Sequence, residues 1–249
     1  MGRVLQYLTE RMKRGPLHMT LIDPDKSGGA NAAKVARAAV ALGSDAIMLG
    51  GSTGISSEGM AATARAVKAA VPVPAIIFPE SPASVTAAAD AIYFMSLLNS
   101  RSVDRVIRMQ ARSAIEIQKI GLEPLALGYI IVAPGMRVGE VGEADPVPRD
   151  DVGLAQSYAL AAEFLGMHLV YLEAGSGAPS PVPPAMVRAV RKVLRIPLIV
   201  GGGIRSAADA RRLLDSGAQI LVTGTVTEEQ GIGPAFEGIL QEVRRARGE

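Results

Sequence analysis

The chain has 249 residues, 49% of them hydrophobic, and a formal net charge of only +2. It has no cysteine, which excludes disulfides, thiolate metal sites and a cysteine nucleophile. No uncharged stretch is long enough to span a membrane and the charged N-terminus lacks a signal-peptide core, so we expect a cytoplasmic protein. Nucleic-acid binding is not expected, because the sequence has no long basic stripe.

Eight short apolar runs predict eight buried strands, because each is hydrophobic nearly throughout, as in strands covered on both faces. The runs are residues 17–23, 45–51, 74–80, 91–96, 125–135, 168–175, 197–203 and 219–225. Helical patterns lie between them, over 30–42, 103–120 and 207–214 among others, and Gly233-Pro234 opens a last helix. This order predicts a single (β/α)8 TIM-barrel domain over residues 1–249.

An open doubly wound sheet is the alternative fold. Its dinucleotide fingerprint, GxGxxG after the first strand, is not supplied by DPDKSGG. The longest irregular stretch, residues 134–150, follows the fifth strand on the side where barrel active sites lie. It is either a mobile lid or an ordinary long loop.

Candidate site residues are those that follow the strands, because barrel chemistry lies at the carboxyl ends of strands. They are Asp23, Asp25, Lys26, Ser52, Thr53, Glu80, Ser96, Asn99, Glu173, Ser176, Arg205 and Thr225. Both histidines, His18 and His168, begin strands and therefore face the opposite end, so we expect no histidine base. The absence of lysine at the ends of strands four to eight argues against Schiff-base chemistry.

Glycine-rich turns follow the sixth, seventh and eighth strands, in AGSG (174–177), GGG (201–203) and TGT (223–225). Bare backbone N–H groups and a helix N-terminus bind phosphate at such places in many barrels. Tight turns that merely need glycine are the alternative, but three on consecutive strands favour a phosphate site. Glu173 directly precedes the first turn, so it would lie beside whatever the phosphate is attached to.

Asp23 ends the first strand in the phrase DPDK. It is either a helix cap or salt-bridge partner, or, with Ser52, part of a hard-oxygen Mg²⁺ site shared with substrate phosphates. Glu80 is either a helix cap or a pocket carboxylate.

At these residues the sequence resembles the geranylgeranylglyceryl phosphate synthases of archaeal type, over nearly the whole chain. The resemblance is carried by LIDPDK (21–26), LGGSTG (49–54), GYIIVAPG (128–135), YLEAGSGAP (171–179), GGGIRS (201–206) and TGTV (223–226). GGGIR alone occurs in many phosphate-binding barrels, whereas YLEAGSG with LIDPDK is specific. The resemblance implies a Mg²⁺-dependent prenyltransferase of archaeal lipid synthesis that joins sn-glycerol 1-phosphate to geranylgeranyl diphosphate through an ether bond.

Carried over residue by residue, the resemblance implies Mg²⁺ at Asp23 and Ser52. As a hypothesis of mechanism, the catalytic residues are Glu173, as the base, and Tyr171, which either hydrogen-bonds the glycerol from the same strand face or only fills the barrel. The glycerol 1-phosphate site that it implies consists of Tyr171, Leu172, Glu173, Ala174, Gly175, Ser176, Gly177, Gly202, Gly203, Gly224 and Thr225. The chain departs from the pattern at Leu21, where some members carry a basic residue, and at Thr225, where others have asparagine. Leu21 leaves open which group offsets the diphosphate charge, with Lys26 and Mg²⁺ as candidates.

Three other functions remain open. A phosphosugar isomerase or cyclase barrel fits GGGIR, but the fifth strand ends in IVAPG, without the second aspartate of the histidine-pathway barrels. A related synthase with a longer prenyl chain and a catalytically idle phosphate-binding protein are the others. We also expect a homo-oligomer, since barrels often associate through outer helices. The lipid tail requires an exposed apolar groove, and we expect transient membrane contact through that substrate.

Overall fold

The eight apolar runs form eight strands in the computed structural model, which describes residues 2–51 and 56–249. The strands are β1 (Leu17–Ile22), β2 (Ala46–Leu49), β3 (Ala75–Ile77), β4 (Ala91–Leu97), β5 (Glu123–Ile131), β6 (Leu169–Glu173), β7 (Leu198–Gly201) and β8 (Ile220–Thr223). Neighbouring strands are parallel, and β8 pairs with β1 to close the sheet. The predicted barrel is therefore confirmed.

The helices around the barrel include those predicted over 30–42 and 207–214 and the last helix opened by Gly233-Pro234. They are α1 (Arg3–Met12), α2 (Gly29–Leu42), α3 (Ser57–Ala70), α4 (Met109–Lys119), α5 (Met136–Val141), α6 (Val152–Phe164), α7 (Pro184–Val193), α8 (Ala207–Asp215), α9 (Thr225–Gln230) and α10 (Pro234–Arg247). Ser206 caps α8, accepting a hydrogen bond from the Asp209 N–H at 3.1 Å. The helix predicted over 103–120 begins instead with a π-helical turn, Asp104–Arg108. None of the described helices is long and apolar enough to cross a membrane.

The alternation of strands and helices fails between β3 and β4. That connection forms only a single 3-10 turn, Pro82–Ser84, where the prediction requires a helix. Pro79 and Pro82 lack the N–H groups that a helix needs, and Ser81 caps the turn by accepting from the Ala83 N–H at 3.3 Å. This connection therefore places no helix over the outer face of the sheet between β3 and β4, although α3 contacts β3 and α4 contacts β4.

The lower end of the barrel, where the strands begin, is closed by α1, a helix that the sequence analysis did not predict. Val4, Leu5 and Leu8 of this helix are buried in the same cluster as the inward-facing side chains of the strands. The carboxylate of Glu123, at the start of β5, accepts hydrogen bonds from the N–H groups of Val4 and Leu5 at 2.7 and 2.9 Å. The accessible cavity lies at the other end, above the aromatic layer described below.

Residues 134–150 are not irregular throughout, because they contain α5. The segment is held at both ends: Ala133 donates to the Val147 carbonyl at 2.9 Å, and Val147 donates to that of Ile131 at 2.9 Å. The Arg149 guanidinium reaches the carbonyls of Ala133 and Pro181 at 3.1 and 2.7 Å. Between these anchors α5 forms part of the wall of the cavity.

Candidate active site

Glu173 lies at the carboxyl end of β6, 7% exposed, on the wall of the cavity at the upper end of the barrel. It is in register with Ile131 of β5 and Gly201 of β7. Its Oε1 accepts a hydrogen bond from the Gly175 N–H at 2.7 Å. Burial raises the pKa of Glu173, against the lowering effect of that N–H and of two tyrosine hydroxyls. The carboxylate is thus a stronger base than an exposed glutamate.

The two tyrosines beside Glu173 are Tyr171, on the same face of β6, and Tyr129, in register with Tyr171 on β5. Their rings meet edge to face with centroids 5.1 Å apart, and both hydroxyls act on the Glu173 carboxylate, whose pKa they lower. Burial first, and then proximity to Glu173, raise the pKa of each tyrosine well above 10, so both hydroxyls stay protonated donors. Tyr171 thus fills the barrel and also lies beside Glu173, while its hydrogen bond to the glycerol stays a prediction.

Tyr129 was not singled out from the sequence. The signal for it is its position: it lies two residues before Ile131 at the end of β5, and alternation along a strand turns both side chains inward. Phe78 completes an aromatic wall, with ring centroids 5.5 Å from Tyr129 and 6.2 Å from Tyr171. Gly201 leaves room for this wall, because a Cβ there would lie 2.1 Å from the Tyr171 hydroxyl oxygen.

The three glycine turns meet beside Glu173, as predicted. The hydroxyl oxygens of Ser176, after β6, and Thr225, after β8, are 2.8 Å apart, and the Gly177 N–H points to the Thr225 hydroxyl at 3.2 Å. Gly202, in the turn after β7, has φ +78°, and a Cβ there would lie 2.2 Å from Glu173 Oε1. Hydroxyl and N–H donors thus form a cradle suited to a phosphate, which we call the Ser176–Thr225 cradle.

Leu172 and Ala174, also named from the resemblance, face away from the cavity. Alternation along β6 places both side chains in the apolar layer between barrel and helices. The Ala174 N–H donates to the Gly201 carbonyl at 3.1 Å, and its carbonyl accepts from the Gly135 N–H at 3.1 Å. The side chains that β6 offers to the cavity are therefore those of Tyr171 and Glu173.

Asp23 lies across the cavity from β6, with a side chain 12% exposed. Oδ1 accepts from the Asp25 N–H at 3.0 Å, and Oδ2 is 3.8 Å from Lys26 Nζ. Burial is the main cause that raises the pKa of Asp23. A partly buried carboxylate with one lightly engaged oxygen fits Mg²⁺, which usually takes one or two carboxylates and completes its shell with water and phosphates.

Ser52, the second residue assigned to the metal, lies outside the described residues. Gly51 just before it packs against the carboxylate of Asp23, because a Cβ at Gly51 would lie 2.6 Å from Oδ1. Among residues 2–51 and 56–249, no group of three or more His, Asp or Glu side chains could hold a metal by itself. The substrate would therefore have to supply other ligands.

Two strand-end candidates hold the backbone together. Ser96 donates to the Val106 carbonyl at 2.7 Å, and Asn99 donates to the carbonyls of Ile131 and Asp145 at 2.9 and 2.8 Å. Glu80 lines the cavity and is not a cap, since Ser81 caps the turn that follows.

Both histidines begin strands at the lower end, as predicted. The His168 ring nitrogen Nδ1 accepts from the Ala126 N–H at 3.2 Å. His18 lies between the Ser44 and Thr223 hydroxyls at 3.0 and 2.9 Å, and burial lowers its pKa to about 3, so it stays neutral.

An apolar groove leads from the aromatic wall to the outside of the barrel. It follows the outer faces of β3 and β4, left open by the missing helix, and runs between the 3-10 turn and α4. Its apolar lining comprises Phe78, Pro79, Pro82, Val85, Ile92, Phe94, Met109 and Ile117. Arg105, Gln110 and Ser113 add polar groups along the α4 side.

The chain matches the sequence profile of the PcrB family over residues 6–246. The chain belongs to that family. Similar curated members include the geranylgeranylglyceryl phosphate synthase of Thermococcus gammatolerans, 49% identical over 92% of this chain and 91% of that one. That of Pyrococcus horikoshii is 50% identical over 92% of this chain and 90% of that one. The family resemblance inferred from sequence is thereby confirmed.

A relative of known structure has nearly the same fold. The geranylgeranylglyceryl phosphate synthase of Thermoplasma acidophilum, solved in complex with its substrate sn-glycerol-1-phosphate, superposes with a TM-score of 0.94. It is 42% identical, and the alignment covers 98% of this chain and 100% of that one.

Proposed function

We propose that this protein is a prenyltransferase that joins sn-glycerol 1-phosphate to geranylgeranyl diphosphate through an ether bond, with release of diphosphate. The observation that carries the proposal is the position of Glu173, a buried carboxylate between the Ser176–Thr225 cradle and the apolar groove. Relatives about half identical in sequence are synthases of this kind, and the Thermoplasma acidophilum relative binds sn-glycerol-1-phosphate.

Glu173 acts as the general base in this proposal. With the phosphate of the acceptor in the Ser176–Thr225 cradle, the free primary hydroxyl of the glycerol lies against Glu173. The carboxylate orients that hydroxyl and takes its proton as the C–O bond forms. The Tyr129 and Tyr171 hydroxyls favour the charged form of this carboxylate, since both lower its pKa.

The aromatic wall supports departure of the diphosphate. As the bond between allylic C1 and the diphosphate oxygen breaks, C1 gains positive charge. The rings of Phe78, Tyr129 and Tyr171 surround the entrance to the groove and offer electron-rich faces that stabilise such a charge. Holding the two reactants side by side in one cavity contributes much of the rate enhancement.

Mg²⁺ is the cofactor that we infer, held by Asp23 with Ser52. When bound, it neutralises charge on the leaving diphosphate. The carboxylate of Asp23 supports this assignment, since it faces the same cavity as Glu173. Its Oδ2 lies 3.8 Å from Lys26 Nζ, which is longer than a hydrogen bond.

The groove is the proposed site for the prenyl tail. Its walls are mostly apolar and it starts at the aromatic wall, so a tail placed there has its reactive end near Glu173. Burying a hydrocarbon chain in such a groove contributes roughly 0.8 kcal/mol for each CH₂ removed from water.

Product analysis by mass spectrometry tests the function. The protein is incubated with geranylgeranyl diphosphate and either glycerol 1-phosphate or glycerol 3-phosphate, each with and without Mg²⁺. We expect a prenyl ether only from glycerol 1-phosphate with Mg²⁺. Ether formed equally without Mg²⁺ would refute the cofactor, and preference for a longer prenyl diphosphate would correct the donor. A folded sample that forms no ether would point to a phosphosugar substrate.

A further inference from the structure

Helix α9, which follows the β8 turn, carries two adjacent acids that pair with cations from two other strand ends. Glu228 Oε2 is 2.8 Å from Nζ of Lys26, which follows β1. Glu229 Oε2 is 3.9 Å from Nη1 of Arg205, which follows β7. One turn of helix thereby neutralises cations on both sides of the Ser176–Thr225 cradle.

Both cations border the places where anionic groups would bind. Arg205 donates from Nη2 to the Gly177 carbonyl at 3.2 Å, so its guanidinium lies at the Ser176–Thr225 cradle. Lys26 Nζ lies 3.8 Å from Asp23 Oδ2, on the side assigned to the diphosphate. The third cation lining the described part of the cavity, Arg105, lies on the groove side and donates to the Glu80 carbonyl at 3.4 Å.

The two ion pairs are easily exchanged. The Lys26 and Arg205 side chains are 60% and 42% exposed, and exposed pairs of this kind add little stability. A phosphate offers more charge and more acceptor oxygens than a carboxylate, and charge-assisted hydrogen bonds to it are strong. Leu21, whose side chain packs near Gly224, supplies no charge on the β1 side, so the cation there must come from Lys26.

We propose that Lys26 binds the diphosphate of the donor and Arg205 the phosphate of the acceptor, and that Glu228 and Glu229 hold these cations in the free protein. This inference rests on the proposed function. Binding would exchange each carboxylate for a phosphate oxygen, so the two acids compete with the substrates. Removing an acid should therefore strengthen binding, whereas removing a cation should weaken it.

Calorimetric titration of each substrate alone tests the proposal, because no turnover occurs without the second substrate. We expect Lys26→Met to weaken binding of geranylgeranyl diphosphate, with Mg²⁺ present, by about tenfold or more and to spare glycerol 1-phosphate. Arg205→Met should show the opposite selectivity. Glu228→Gln should tighten binding of the diphosphate, and Glu229→Gln that of glycerol 1-phosphate, by up to about fivefold.

Lys13 and Glu10 provide the matched control. Their ion pair on α1 is similarly exposed, with Nζ 2.7 Å from Oε1, but lies at the lower end of the barrel. Lys13→Met and Glu10→Gln should change neither affinity. Unchanged affinities in the Lys26 and Arg205 variants would overturn the proposal, as would acid variants that bind more weakly, since the pairs would then only shape the loops. A folded wild-type protein that binds neither substrate would refute the proposed function itself.

Discussion

The carboxylate of Glu173 is under two opposing influences. Burial disfavours its charge, while the Gly175 N–H and the hydroxyls of Tyr129 and Tyr171 favour it. Burial is the largest of these, so the pKa is raised above the ordinary 4.5. A base whose pKa is raised in this way takes a proton more readily than an exposed carboxylate.

Glu173→Gln should lower kcat by about 10²–10⁴-fold, the usual contribution of a general base. The amide keeps an oxygen that accepts from the Gly175 N–H, so affinity for glycerol 1-phosphate should change little. Steady-state kinetics with calorimetry on the variant measures both. Glu58→Gln, an exposed change in the first turn of α3, is the control. Undiminished turnover in Glu173→Gln would remove this residue from the role of base.

The pH dependence of kcat/KM should reveal the same group. Protonation of Glu173 stops proton transfer, so activity should fall on the acid side, around a pH above 4.5 because burial raises the pKa. Tyr171→Phe deletes a donor that lowers this pKa, so the acid limb should move to higher pH. A pH–rate profile of both proteins shows the direction. A limb that moved to lower pH would contradict the assigned effect of the Tyr171 hydroxyl on Glu173.

Gly202→Ala should abolish most activity. Both Gly202 and Gly121 have positive φ, +78° and +65°, so alanine at either costs on the order of 1 kcal/mol of backbone strain. Only at Gly202 would the new Cβ meet Glu173 Oε1, at 2.2 Å, whereas at Gly121 nothing lies within 4 Å. Comparing kcat and thermal unfolding of the two variants separates strain from displacement of the carboxylate. Equal activity in both would argue against the close approach.

At the scale of elements, the missing helix between β3 and β4 determines where an apolar substrate can lie. The 3-10 turn Pro82–Ser84 covers little of the sheet, and α4 closes the groove from the other side. Because α4 starts near the carboxyl end of β4 and runs back toward its beginning, residues later in α4 lie farther from Glu173. In the proposed function, a longer prenyl tail would therefore reach a later residue of α4.

Ser113→Phe should block the groove part of the way along. Turnover should fall strongly with geranylgeranyl diphosphate but much less with the shorter geranyl diphosphate, whose tail ends earlier. Ser157→Phe on α6 is the matched control, since both hydroxyls donate to the carbonyl four residues earlier at 3.0 Å and Ser157 is exposed. Competition between the two donors in one assay measures the preference. An unchanged preference would place the tail elsewhere.

At the scale of the whole molecule, Asp45 joins helices from the two ends of the chain beneath the barrel. Its side chain is fully buried; Oδ1 is 2.6 Å from Nη2 of Arg11 on α1, and Oδ2 pairs with Arg247 on α10. Oδ2 also accepts from the His18 N–H at 3.0 Å. The positive charges of the two arginines offset the cost of burying the Asp45 carboxylate. The stability of the cluster therefore depends on the negative charge of Asp45.

Asp45→Asn should destabilise the fold by about 3–5 kcal/mol, because the Arg247 charge, 5% exposed, loses its buried partner. Asp215→Asn, which breaks the exposed pair with Arg211 at 2.9 Å, should destabilise the fold far less, because both side chains of that pair are about half exposed. Denaturant unfolding followed by circular dichroism compares them. Similar losses in the two variants would show that the buried cluster contributes no more than a surface pair.

The parts of this protein that were predictable are those with local signals. Uniformly apolar runs identify the strands, and closure of a barrel then brings Glu173 and the glycine turns together without further information. The absence of a helix after β3, the plug formed by α1 and the contact of Tyr129 with Glu173 depend on packing between distant segments. Asp45 shows the same limit: in the sequence it is one aspartate before a strand, and its two arginines lie far along the chain.

The groove beside β4 also bears on how such an enzyme can diversify. Along β4, Tyr93 faces the barrel interior with the catalytic wall, while Ile92 and Phe94 face outward into the groove. In the proposed function, a single strand thus separates the layer assigned to the chemistry from the layer assigned to the prenyl tail. Substitutions on the outer layer can retune lipid length while the reaction centre stays intact, so membrane thickness can evolve independently of the bond-forming step.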